Sequence, residues 1–123
     1  MPTLRILVVD DEPSLAEAMA ELLRFHGHHV ATASNGADAL AVAAREHFEL
    51  ILSDLVMPVM DGHELMRALR HQPRKAFWFV LMTALPLSLQ GPRPAGCTRY
   101  MGKPVHLDEL LELVQACADA LCP

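Results

Sequence analysis

Arg5-Ile6-Leu7-Val8-Val9-Asp10-Asp11-Glu12-Pro13 is the stretch on which the fold turns. A short β-branched run fits a buried strand, and it breaks abruptly into three acids and a proline. Pro13 suits the first turn of a helix, where its missing N–H costs nothing, and Gly27 marks that helix's end. The predicted apolar face is Leu15, Ala18, Met19, Leu22 and Leu23. A strand running directly into a helix is the opening of a parallel sheet.

The pattern repeats outward. Further strands are predicted at His29 to Ala33, Glu49 to Ser53, Phe77 to Met82 and Thr98 to Gly102. A second helix begins near Ser34-Asn35-Gly36 with Ala37, Leu40, Ala41 and Ala44 on one side. A third follows Asp61-Gly62 and buries Leu65, Met66 and Leu69. The last starts near Leu107, with Leu110, Leu111, Val114 and Ala118 inward and Glu109, Glu112, Gln115 and Asp119 outward. Between the fourth and fifth strands, Leu85 to Gly96 carries Pro86, Pro92 and Pro94 with Gly91 and Gly96. Interior prolines cost about 3 kcal/mol each, so this helix is expected to be short or missing.

The 123 residues suit one domain spanning 1–123. An apolar content of 52% with 20% charged residues belongs to an ordinary globule, and no run is long enough to span a membrane. The N-terminus lacks signal-peptide features, so a cytoplasmic location is expected. Cys97, Cys117 and Cys122 form an odd set without a C-x-x-C pair, expected to be reduced thiols. A net charge of −5 disfavours nucleic acid as a partner. His26, His28 and His29 read as a solvated turn rather than a metal site, and Met57, Met60 and Met66 as packing.

In open parallel sheets, ligands bind outside the carboxyl ends of the strands. Four predicted strand ends carry chemistry: Asp10-Asp11, Asp54, Thr83 and Lys103. Three carboxylates about 5 Å apart repel by roughly 3 kcal/mol per pair at an effective dielectric of 20, which calls for a cation. An all-oxygen set matches Mg²⁺, with Asp10, Asp11, Asp54 and one backbone carbonyl as ligands. Such a site suits phosphoryl transfer, with Asp54 as nucleophile and Lys103 as a second positive charge.

Val9-Asp10-Asp11-Glu12, Asp54-Leu55-Val56-Met57-Pro58-Val59-Met60-Asp61-Gly62, Thr83-Ala84 and Lys103-Pro104 together resemble the response regulator receiver family across nearly the whole chain. The resemblance implies a flavodoxin-like α/β fold, with a doubly wound five-stranded parallel sheet in the order 2-1-3-4-5. It implies a switch of a two-component phosphorelay, phosphorylated on Asp54 by a histidine kinase or histidine phosphotransfer protein and acting on a downstream protein partner. Beyond its own phosphorylation and dephosphorylation, no enzyme activity is implied. By position, Val56 lends a carbonyl to the metal, Thr83 supplies the hydroxyl that follows the phosphoryl group, Tyr100 is the switch aromatic and Lys103–Pro104 is cis. Val56 and Leu85 flank the path of hydrolytic water, and both are apolar, so slow self-dephosphorylation is expected. With its fourth helix curtailed, the family's usual dimer face is expected to be absent. The alternative within the fold is a receiver-like docking module that is not phosphorylated. A small phosphatase of the haloacid dehalogenase type requires an Asp where Val56 stands. A flavin or nucleotide binder requires a phosphate cradle where Asp10-Asp11-Glu12 would repel one.

Overall fold

The computed structural model describes residues 3–84 and 95–122. Its elements are β1 (Arg5–Val9), α1 (Pro13–Phe25), β2 (His29–Ala33), α2 (Gly36–Arg45), β3 (Leu50–Asp54), α3 (Gly62–Arg70), β4 (Trp78–Thr83), β5 (Arg99–Gly102) and α4 (Leu107–Leu121). All strands pair in parallel, in the order β2-β1-β3-β4-β5. Strand alternation divides the core in two. Ile6, Val8, Leu50, Leu52, Val80 and Met82 face α1 and α4. Leu7, Val9, Ile51, Phe79 and Leu81 face α2 and α3. The sheet is thus doubly wound, as expected. Two strands run one residue further than predicted, so Asp54 and Thr83 are the last residues of β3 and β4.

Helix ends follow local chemistry. Asn35 caps α2 by accepting from the Asp38 N–H at 2.8 Å. Asp61 and Glu64 close a reciprocal capping box on α3, at 2.8 and 3.2 Å. The predicted helix faces need correction. On α1 the buried residues are Ala16, Ala20 and Leu23, while Leu15, Ala18 and Leu22 are exposed. On α2 they are Gly36, Ala39 and Ala43, while Ala37, Ala41 and Ala44 are exposed. Both helices carry two apolar stripes, and the sheet takes the one made mainly of small residues, which lets the backbones approach closely. Leu113 and Cys117 join the inner face of α4, and Leu111 is only half-buried. The predicted curtailed helix, and with it the missing dimer face, falls on residues 85–94, outside the described residues. Ala95 and Gly96, which follow, form a turn with Gly96 at φ +93°.

His28 is also corrected, being buried rather than solvated. Its Nδ1 accepts from the Leu4 N–H at 3.1 Å, a bond that requires the neutral ring with its one proton on Nε2. Burial first, and His26 second, push its pKa below the ordinary 6.5. The unfolded chain therefore binds the proton more readily. Stability from this group is complete above pH 6.5 and is lost as pH falls through the folded-state value. His28→Gln keeps an acceptor and cannot protonate, so on acidification from neutral pH its thermal midpoint should fall less than that of wild type. Equal losses would contradict this account of His28.

Candidate functional site

Gly62 sets how closely α3 begins against β3. A Cβ there would lie 2.6 Å from Leu81 Cδ2, and nearer still to the Asp54 carbonyl oxygen. Its N–H donates to the Leu55 carbonyl at 2.9 Å. The intervening loop carries Val59 in the left-handed region at φ 71°. Met57 turns inward, while Val56 and Val59 are 78% and 81% exposed. Gly36, at the start of α2, approaches the same loop, its N–H donating to the Met60 carbonyl at 3.3 Å.

The sheet delivers Asp10, Asp54, Thr83 and Lys103 to one rim. Asp10, Asp54 and Thr83 are buried, and Asp11 is exposed. Carboxylate oxygens of Asp10, Asp11 and Asp54 lie within 4.8 Å of one another. Asp10 also holds its own loop, Oδ1 accepting from the Glu12 N–H at 2.9 Å. Lys103 Nζ pairs with Asp10 Oδ2 at 3.1 Å and with Asp54 Oδ1. The Lys103 N–H donates to the Thr83 carbonyl at 2.7 Å, which ties the two strand ends together. Asp11, Asp54, Val56, Thr83 and Lys103 all line one cleft of about 240 Å³. Lys103–Pro104 is cis. Tyr100 lies apart from this cleft, half-buried on the Thr83 face of the sheet, since it pairs in register with Leu81.

One ammonium serves three carboxylates, and the protonation states show the imbalance. Burial pushes the Asp54 carboxyl up to about 7, with Asp10 adding to the rise and Lys103 opposing it. Burial works to lower Lys103, but Asp54 and Asp10 outweigh it and hold the ammonium above its ordinary value. Both shifts express surplus negative charge out of water. A compact, all-oxygen, electron-rich donor set fits a hard divalent ion such as Mg²⁺.

Fold and rim define a doubly wound α/β protein with an acidic, cation-ready site at the carboxyl ends of its strands. The chain belongs to the response regulator receiver domain family, whose model matches residues 6–115. A response regulator receiver protein of Anaeromyxobacter is 38% identical over 110 residues, 89% of this chain and 46% of that protein. The chain spans half or less of the length of several other curated relatives. Among solved structures, the chemotaxis response regulator CheY4 of Vibrio cholerae matches with a TM-score of 0.84 and 33% identity, covering 94% of this chain and 99% of that one. The response regulator TrrA of Thermotoga maritima, solved in complex with Mg²⁺ and BeF, matches with a TM-score of 0.82 and 32% identity over the same shares. Receiver domains are signalling switches that work with histidine kinases in two-component systems. No helix among the described residues is long and apolar enough to cross a membrane.

Proposed function

We propose that this protein is a phosphoacceptor switch, with Asp54 taking a phosphoryl group from a phosphohistidine donor in a Mg²⁺-dependent reaction. The observation that carries this reading is the meeting of three carboxylates and Lys103 on one rim of the sheet. Asp10, Asp11, Asp54 and the Val56 carbonyl would hold the ion, which when bound neutralises charge on the transferring phosphoryl oxygens. An Asp54 oxygen forms the new bond to phosphorus as the P–N bond of the donor breaks. The electron pair returns to the imidazole, and an acyl phosphate results. Lys103 stabilises charge on the phosphoryl oxygens from the β5 side, and Thr83 offers its hydroxyl to one of them. Tyr100 is the element that responds, on the sheet face it shares with Thr83. Leu15, Ala18 and Leu22 line an apolar groove that reaches Asp10 and Lys103, a face on which a donor protein can seat.

Intact-mass measurement after treatment with acetyl phosphate tests this. One added phosphoryl group is expected with Mg²⁺, and none in excess chelator or in Asp54→Asn. Equal labelling of Asp54→Asn and wild type would sink the reading. Self-dephosphorylation is expected to be slow, because the exposed Val56 side chain orients no water; Leu85, the second such position, lies outside the described residues. Val56→Asn should shorten the acyl phosphate's lifetime several-fold, and a wild-type half-life of seconds at room temperature would count against the idea.

A further inference from the structure

The acids and bases of this chain are segregated. No Asp or Glu occurs between Glu64 and Asp108, and that span holds seven of the ten Lys and Arg of a protein with net charge −5. Three of these cations, joined by Arg45, gather at the rim opposite Asp54. There α2 ends at Arg45, α3 ends at Arg70, and the connection into β4 carries Arg74 and Lys75. Between the two helix ends lies a cleft of about 600 Å³ lined by Arg45, His47, Gln72, Arg74 and Lys75.

The one carboxylate in its wall, Glu46, is taken by Arg5 at 3.2 Å. Among the described residues, Arg45, Arg74 and Lys75 have no carboxylate partner. The helix dipole explains a cation in a last turn, such as Arg45, but not Arg74 and Lys75, which lie past the end of α3. Arg74 makes do with neutral acceptors, the Gln72 side chain at 2.7 Å and the Ala43 carbonyl at 3.4 Å. Its Nε–H is buried with no acceptor at all, a donor that the folded chain leaves unsatisfied.

We propose that this cleft docks an acidic segment of a partner protein, its carboxylates pairing with Arg45, Arg74 and Lys75. Planar guanidinium forks match carboxylates bidentately. The wall contains no Phe, Tyr or Trp, the rings that serve best as stacking platforms for nucleic-acid bases. The large exposed apolar residues, Leu15, Leu22, Phe25, Val56, Val59 and Leu107, all lie outside the cleft, so it has no anchor for a membrane. The site is separate from Asp54 and stands whatever Asp54 does.

Fluorescence anisotropy of a dye-labelled octaglutamate peptide against the full chain tests the proposal. Binding is expected, weakening as salt rises. The triple variant Arg45→Gln, Arg74→Gln, Lys75→Gln should bind roughly tenfold more weakly, as the loss of three modest ion pairs implies. Should that variant melt early, Lys75→Gln alone, at an exposed side chain, should still lose about twofold. Failure to bind the peptide, or unchanged affinity in every variant, overturns the proposal. So does tighter binding of single-stranded DNA, phosphatidylserine vesicles or inorganic tripolyphosphate than of the peptide.

Discussion

Replacing Asp10 and Asp11 together by Asn should slow Mg²⁺-dependent phosphoryl uptake by about a thousandfold, the equivalent of about 4 kcal/mol of lost transition-state stabilisation. The same change should make the protein more stable without Mg²⁺. Oxygens of the three carboxylates lie within 4.8 Å of one another, and like charges at that range repel by about 3 kcal/mol per pair at an effective dielectric of 20. Asp54 adds a pH signature. Its folded-state value, raised to about 7, exceeds its ordinary 3.8, so the native state binds the proton more readily and stability declines as pH rises through that window. With its acidic neighbours neutralised, the decline should flatten. Kinetics with a small phosphodonor and melting curves across pH check both halves. Opposite signs for activity and stability are what a strained functional site predicts. A variant that lost both would point instead to acids that merely hold the β1–α1 loop.

Gly62→Ala should destabilise the protein by about 3 kcal/mol or more. The added methyl meets the Asp54 carbonyl and Leu81, and β3 is flanked by β1 and β4, so the strand cannot yield. Urea unfolding measures the cost. A loss of less than about 1 kcal/mol would mean that the loop from Leu55 to Asp61 can shift to accept the methyl. A Gly62→Ala protein that does fold should still take up phosphate poorly, because the contact is made with the backbone of Asp54 itself.

The sheet and rim were legible because their signals are local and strong. Short apolar runs ending in Asp10, Asp54, Thr83 and Lys103 name the strands and their functional ends together. Which stripe of α1 and α2 faces inward was not legible, because both stripes are apolar and only packing against the sheet chooses Ala16 and Ala39 over Leu15 and Ala41. His28 escaped because its burial depends on Leu4, a partner distant in sequence. Gly62 left a trace in the Asp61-Gly62 pair, but its contact with β3 is tertiary. The capping box of Asp61 and Glu64 was readable from spacing alone.

Asp54 as the acceptor distinguishes a phosphoryl switch on this rim from phosphorylation anywhere else on the chain. Borohydride reduction converts an aspartyl phosphate to homoserine, and peptide sequencing by mass spectrometry then locates it. After phosphodonor treatment with Mg²⁺, homoserine is expected at position 54 and at no other aspartate. Homoserine at Asp10 or Asp11, or a phosphoryl group retained on a histidine or serine with Asp54 unmodified, would contradict that assignment.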